Sequence, residues 1–314
     1  MSANEKKYLG IDVSKDSLCA FMYPTGEVWD VKNEPREIIK WIKTLPEDID
    51  LAVMEATGKF EQLVAAQLDT AGIPVSIVNP RKIRNFANCI GKLAKTDKID
   101  ARVIAMYGKT IEPDPTKLPD EMETALKELV IRRFQIVDLI KEEKNHLSTA
   151  RNEIIQKDVK ENIELLQKRL DKIESQIKTM IRESPIWKEK VKILTSVTGI
   201  GIITAFSLIA IFPELGSINR KKAASLAGLA PMTRQSGNYR GKSFTQGGRK
   251  HIRDPLFMAT LSAIKHNPVI YEFYQRLLAK GKPPMVAITA CMRKIVTILN
   301  ALVRDNSQWN FAKS

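Results

Sequence analysis

Residues 121–183 contain neither glycine nor proline, and this uninterrupted stretch constrains the fold more than any other feature. Apolar residues recur within it at spacings of three and four amid dense charge. They are Leu126, Leu129, Val130, Phe134, Val137, Ile140, Ile163, Leu166, Leu170, Ile173 and Ile177. This period predicts one or two long helices, as a coiled coil or an antiparallel hairpin. Such helices could serve self-association, contact nucleic acid along a basic face, or act only as an internal strut.

Proline-containing segments flank that helical stretch. Residues 112–119 (EPDPTKLP) cannot form regular structure and mark a boundary, and Ser184-Pro185 ends the helical stretch. A chain of 314 residues is long enough for two or three domains. The sequence therefore predicts three parts: a first domain at 1–112, a linker with coiled-coil helices at 113–190, and a C-terminal domain at 191–314.

The pattern of residues 1–112 predicts a mixed α/β sheet. Three short apolar runs, the second and third joined by Pro24-Thr25-Gly26, are typical of an antiparallel meander, and helical and strand patterns then alternate. Asp12 stands inside the first strand and Glu55 at the end of the fourth, the end at which α/β sheets bind ligands. Each acid taken alone is more simply structural or exposed.

A pair of carboxylates, Asp97 and Asp100, lies in a stretch with helical spacing. Residues three apart project from one helix face, so both can point at one place. Basic residues surround the pair, notably Lys95, Lys98 and Arg102. The pattern suits metal ions that meet a phosphate backbone, although a solvated face with local salt bridges would look the same.

The charge predicts a polyanionic partner. A formal net charge of +14 and a pI near 9.6 favour nucleic acid, and an anionic membrane is the alternative. Cys19, Cys89 and Cys291 are too widely spaced for a zinc site or a disulfide framework, which fits a reducing cytosol. We expect a cytoplasmic protein, because no signal-peptide run opens the chain.

Residues 193–212 carry no charge and have the length of a bilayer span. Gly199 and Gly201 would break a continuous helix, so two short buried helices are favoured and no membrane partner is predicted. The same glycines fit a helix-hairpin-helix, in which backbone amides approach a phosphate, or else a packing turn between core helices.

A glycine-rich segment at 228–253 follows, in a stretch typical of loop and strand. Such loops commonly carry function, and its basic residues predict phosphate contact. The basic residues predicted to contact nucleic acid are Arg234, Arg240, Lys242, Arg249 and Lys250.

Three motifs, GIDVSKD at 10–16, MEATG at 54–58 and KTDKIDA at 95–101, resemble those of an insertion-sequence transposase family. That family carries a RuvC-like, ribonuclease H-fold N-terminal domain with a D-E-D-D tetrad. The resemblance covers nearly the whole chain. It implies a metal-binding tetrad at Asp12, Glu55, Asp97 and Asp100, with Mg²⁺, or Mn²⁺ in its place, as the ion. The implied fold is this α/β domain, a long helical linker and a mainly α C-terminal domain with a helix-hairpin-helix.

In the C-terminal half, the family has a glycine, leucine and proline stretch followed by Ser-Gly and a glycine- and basic-rich segment. The resemblance implies that Ser236 is a nucleophile that forms a phosphoserine link to DNA. Gln235 stands where relatives often have a first serine, and Ser243 and then Tyr239 are the reserve candidates. Because a serine hydroxyl must be activated, the acidic site would have to meet it within one chain or across protomers.

The resemblance further implies that a structured RNA encoded by the element guides the protein to donor and target DNA. A homo-oligomer, dimer or tetramer, is expected, and the resemblance implies a prokaryotic cell with the protein associated with its nucleoid. Two rivals remain from the residues themselves. One is a junction-resolving nuclease that uses metal-bound water, and the other is a nucleic-acid-binding protein without enzymatic activity.

Overall fold

The computed structural model describes residues 6–91, 96–232, 235–236, 239–240 and 244–310. Contacts divide the chain into two compact units, Met1–Pro119 and Asp120–Ser314. The division falls at the end of the proline-containing segment. The long helices after it share contacts with the C-terminal helices, and a separate linker domain at 113–190 stays a prediction.

The first unit is built on a five-stranded sheet. Its strands are β1 (Tyr8–Val13), β2 (Ser17–Tyr23), β3 (Val28–Lys32), β4 (Leu51–Glu55) and β5 (Val75–Val78). Their order is β3-β2-β1-β4-β5. The pairs β3–β2 and β2–β1 are antiparallel, and the pairs β1–β4 and β4–β5 are parallel. The predicted mixed α/β sheet is confirmed, and its order is consistent with a ribonuclease H-like domain.

Helices cover both faces of this sheet. They are α1 (Pro35–Ile42), α2 (Glu61–Thr70), α3 (Pro80–Cys89) and α4 (Asp97–Ile111). Leu9 and Ile11 of β1 pack with α1 and α2, whereas Tyr8 of β1 and Val53 of β4 pack with α3 and α4. Successive strand residues thus serve opposite cores, as the pleat requires. Helix α3 was not predicted as a separate element.

Helix α4 lies directly on the backbone of β1. A Cβ atom at Gly10 would stand 2.2 Å from the carbonyl oxygen of Ala101 and 2.3 Å from the amide nitrogen of Ala105. Gly108, further along α4, faces Tyr8 and Val53 in the same way, with a Cβ position 2.9 Å from Val53 Cγ2. Helix α4 therefore runs antiparallel to β1, and its first turn lies at the carboxyl end of that strand.

The second unit begins with two long helices, α5 (Glu121–Thr149) and α6 (Glu153–Glu183). Three residues connect them, and Arg133 Nε donates to Glu174 Oε1 across the pair at 2.8 Å. Their apolar residues meet along the shared face, which confirms the predicted antiparallel hairpin. The base of the hairpin packs into the main core of the unit through Val130 and Ile177.

The remaining described helices of this unit are α7 (Pro185–Thr195), α8 (Ile202–Ile211), α9 (Arg220–Leu226), α10 (Lys250–His266), α11 (Pro268–Ala279) and α12 (Pro284–Arg304). The uncharged stretch at 193–212 contains the last three residues of α7, a turn and all of α8. The predicted break in a continuous helix is confirmed, but the first helix lies mostly before the stretch and carries charged residues. Helix α12 is long and apolar enough to cross a membrane by length and composition, but Cys291, Ile295 and Leu299 are wholly buried in the core. We therefore describe it as a core helix.

Candidate functional site

Asp12 and Glu55 lie side by side at the carboxyl edge of the sheet. Strands β1 and β4 pair in parallel, with Ile11 opposite Met54, so the next residues, Asp12 and Glu55, are neighbours. Asp12 is two residues beyond Gly10, and Glu55 is two beyond Val53, so both acids point to the sheet face that α4 covers. Both are half-buried. The two carboxylates therefore belong to one face and one end of the sheet.

The first turn of α4 brings Asp97 and Asp100 to the same edge. Asp12 is two residues beyond Gly10, about 7 Å along the strand. At about 1.5 Å per residue, the same distance takes α4 back from its contact at Ala101 and Ala105 to its first turn. Asp97 is exposed and Asp100 half-buried. Four carboxylates from two strands and one helix thus share one edge.

Local capping explains why α4 begins there. The side chain of Thr96 accepts a hydrogen bond from the amide of Ile99 at 3.4 Å, and the amide of Asp100 donates to the carbonyl of Thr96 at 2.8 Å. Acidic side chains in a first turn also interact favourably with the positive end of the helix dipole. Thr96 thus starts the helix, and the acid pair lies in its first turn at the carboxyl edge of the sheet.

Cys19 is a neighbour of this site that the sequence did not single out. It pairs with Asp12 across β1 and β2 and with Asp30 across β2 and β3, and its side chain is 5% exposed. Burial raises the pKa of the Cys19 thiol to about 12, with further contributions from Asp30, Asp97 and Asp12. Burial is the main cause of this pKa shift, and the nearby acids add to it.

The donor chemistry of the four acids fits a hard divalent cation, because Mg²⁺ prefers carboxylate oxygens and keeps several waters. Within the described part of the chain, however, no three His, Cys, Asp or Glu side chains form a group that could hold a metal ion. The acids share an edge and a face, and closing on an ion would require side-chain movement.

Basic side chains border the acids on the β2 side. Lys98 and Arg102 of α4 are exposed, and the Arg102 guanidinium lies 5.8 Å from the ring centre of Phe21. Lys109 lies toward the amino end of β1, away from the acids, and its ammonium is 4.1 Å from the ring centre of Tyr23. The third predicted basic residue of this region, Lys95, lies outside the described residues.

The candidate serine stands in a small hairpin of the second unit. Strand β6 (Pro231–Met232) pairs with β9 (Phe244–Thr245), and β7 (Gln235–Ser236) pairs with β8 (Tyr239–Arg240). Ser236 is opposite Tyr239. Three further candidates, Arg234, Lys242 and Ser243, lie outside the described residues.

Two family models match the chain. One, described as a transposase of the DEDD type of IS110, covers residues 9–155, and a transposase model of the IS116/IS110/IS902 family covers residues 191–275. A "Pilin gene-inverting protein" of Moraxella lacunata is 30% identical over 313 residues, which is 96% of this chain and 97% of the relative. The chain belongs to the IS110 family of transposases.

Two further relatives agree with this assignment. The pilin gene-inverting protein of Moraxella bovis is also 30% identical over 96% of the chain and 97% of its own length. An uncharacterised 43.6 kDa protein of insertion element IS110 in Streptomyces coelicolor is 28% identical over 137 residues, 43% of this chain and 33% of that protein. Transposases act on DNA, so membership makes this chain a DNA-processing protein.

Arg249 of this IS110-family transposase is engaged inside the second unit. Its guanidinium donates to Glu214 at 2.7 and 2.5 Å and to the carbonyl of Ile211 at 2.7 Å. Burial would raise the pKa of Glu214, but the hydrogen bonds and charge of Arg249 outweigh it and lower that pKa. A nucleic-acid contact by Arg249 stays a prediction and would compete with this ion pair. Lys250 is exposed and lies 3.9 Å from Asp254.

The two glycines of the α7–α8 turn have different surroundings. Gly199 has φ +100, and a Cβ there would stand 2.6 Å from Ala263 of α10. Gly201 precedes α8, is exposed, and has no atom within 4 Å of its Cβ position. Close packing against α10 thus requires glycine at position 199, which agrees with the packing turn that the sequence allowed as an alternative. Phosphate contact at either glycine stays a prediction.

Proposed function

We propose that this IS110-family transposase cuts and rejoins DNA strands at the carboxyl edge of its five-stranded sheet. The observation that carries the proposal is the placement of Asp12, Glu55 and the first turn of α4 on one face of one edge. Separate parts of the chain supply these acids, and a structural role for each alone would not require a common place.

The proposed tetrad of Asp12, Glu55, Asp97 and Asp100 would hold Mg²⁺, with Mn²⁺ as the possible substitute. A divalent ion there would neutralise the charge that builds on a phosphodiester under attack. Lys98 and Arg102 would hold the neighbouring backbone phosphates without selecting bases.

Ser236 is the proposed nucleophile, with Ser243 and Tyr239 as reserves. Its Oγ would form a bond to phosphorus as the bond from phosphorus to one sugar oxygen breaks. A base would take the hydroxyl proton, and the departing sugar oxygen would take up a proton. The reverse reaction with a new sugar hydroxyl would release the serine and rejoin the strand.

The names of the two Moraxella relatives support DNA inversion as one outcome of such cutting and rejoining. Guidance by an element-encoded RNA rests on the family resemblance, and a net charge of +14 is compatible with a second polyanion. Assembly as a dimer or tetramer belongs to the same proposal.

Replacement of Asp97 by Asn tests the acidic site. We expect cleavage of element-end DNA in Mg²⁺ to fall by about a hundredfold or more, because charge stabilisation is lost, while DNA binding is retained. Asp69→Asn is the matched control, since Asp69 is an exposed acid on α2, the helix that covers the other face of the sheet. Equal cleavage by both variants would contradict the proposal.

An adduct assay with Ser236→Ala tests the nucleophile separately. A covalent protein–DNA band that disappears only in this variant would establish Ser236. A band that survives would move the role to Ser243 or Tyr239. Cleavage without any band in the unmodified protein would favour the hydrolytic nuclease.

A further inference from the structure

Helix α3 presents a polar stripe at the same edge of the sheet as the acids. Asn79 caps the helix by accepting from the amide of Arg81 at 2.9 Å. Arg81, Arg84, Asn85 and Asn88 follow at spacings of three, one and three, and all four are exposed. This spacing places two guanidinium groups and two amides on one side of the helix, over about 10 Å.

The opposite side of α3 holds the helix in place. Ile83 is 4% exposed, and Phe86 packs against α4, where its ring lies 5.5 Å from that of Tyr107 at an interplanar angle of 90°. Because this side is occupied by the core, the polar stripe faces solvent. The stripe is therefore a fixed feature of the surface and not a set of independent side chains.

The position of α3 relative to the acids is fixed by the sheet. Val78, the last residue of β5, pairs with Glu55, and Arg81 follows only three residues later. Helix α3 thus begins at the carboxyl edge on the β5 side, while Lys98 and Arg102 border the acids along α4. Positive charge consequently lies on both sides of the acidic row.

The cations of α3 are not used within the fold. Among the described residues, none of Arg81, Lys82 and Arg84 forms an ion pair with a carboxylate, in contrast to Arg249 and Arg133. Helix α3 contains no acid. Exposed guanidinium and amide groups without internal partners are the side chains that bind nucleic-acid backbones.

We propose that the α3 stripe of Arg81, Arg84, Asn85 and Asn88 binds the backbone of the DNA strand that reaches the acids. The proposal rests on the proposed function and adds the direction of the strand, which crosses the acidic row from α3 on the β5 side toward Arg102 on the β2 side. At one phosphate per 3.4 Å on each strand, the stripe spans about three phosphates. The DNA assignment follows from the continuity of the stripe with the edge that bears the acids.

The test is the salt dependence of duplex DNA binding by Arg81→Ala/Arg84→Ala, measured without divalent ions. The slope of log Kd against log salt is expected to fall by about 1.8, at 0.9 for each lost phosphate contact. Arg36→Ala/Lys40→Ala is the matched control, because it removes two exposed charges from α1 on the other sheet face. Its slope should match that of the unmodified protein.

Several outcomes would overturn the stripe proposal. The first is an equal slope for the α3 variant and the α1 control. The second is a slope change seen only with RNA of the same length and absent with DNA. The charge-reversed Arg81→Glu/Arg84→Glu should weaken DNA binding further, and unchanged affinity in that folded variant would count against the stripe as well. Failure of the unmodified protein to bind DNA would overturn the proposed function too, whereas loss of cleavage alone in Asp97→Asn bears only on the acids.

Discussion

An arginine of this chain can pair with groups inside the fold or remain exposed for a binding partner. Arg249 donates to Glu214 and to the end of α8, and its guanidinium lies 5.8 Å from the ring centre of Phe212. Arg81 has no such partner among the described residues and faces solvent. From the sequence alone, Arg249 and Arg81 look equally suited to bind nucleic acid. Only Arg81 can do so without breaking an ion pair.

Replacement of Glu214 by Gln should make stability less dependent on pH. The pKa of Glu214 is lowered in the fold, so its stabilisation is present above its ordinary value of 4.5 and is lost as pH falls through the folded-state pKa. We expect a loss of about 1 kcal/mol in the free energy of unfolding at pH 7, because both partners are about a third exposed. Denaturant unfolding at pH 7, 5, 4 and 3 measures it.

The control for this prediction is Glu189→Gln, since Glu189 forms a more exposed ion pair with Lys192 at 3.3 Å. That variant should differ little from the unmodified protein at any of these pH values. A deficit of Glu214→Gln that stays constant down to pH 3 would contradict the account of the ion pair.

At the scale of elements, the α7–α8 turn offers two neighbouring glycines with different surroundings. Gly199→Ala should lower the free energy of unfolding by about 2 kcal/mol or more, because the new methyl meets Ala263 in a positive-φ conformation. Gly201→Ala meets no atom within 4 Å and should change stability by less than about 0.5 kcal/mol. Thermal unfolding of the two variants compares them, and equal losses would show that Gly199 is not a packing position.

Elements with strong periodicity were predicted well from the sequence. The long helices α5 and α6, the short helix α8 and the mixed sheet are examples. Helix α3 was missed, since Arg81, Lys82 and Arg84 looked like a charged lead into α4. The cap at Asn79 and the proline that follows it were the available signals.

The candidate site was predictable in part. Resemblance supplied the positions of the four acids, and the strand order supplied the edge at which Asp12 and Glu55 lie. Cys19 beside Asp12 depends on the register of β1 against β2, which apolar patterning sets only to within two residues. The ion pair of Glu214 with Arg249 joins residues far apart in sequence, and local pattern does not reveal such pairs.

At the scale of the whole molecule, the excess of positive charge predicts strong salt dependence. With 50 Lys and Arg against 36 Asp and Glu, the protein should bind random-sequence duplex DNA at low salt. If six to ten phosphates are contacted, affinity should fall by about 10³ to 10⁵ between 50 and 200 mM salt. Fluorescence anisotropy at three salt concentrations measures this, and a flat response would contradict a backbone-dominated interface.

The contact between Gly10 and the backbone of α4 has a consequence for the history of the acidic site. At Gly10, main-chain atoms of α4 set the spacing between that helix and β1, whereas the side chains of Tyr8 and Val53 set it further along the helix. Core residues elsewhere in the unit can therefore drift through substitution and repacking while the acids keep their alignment. A single added methyl group at Gly10, in contrast, would push Asp97 and Asp100 away from Asp12 at once.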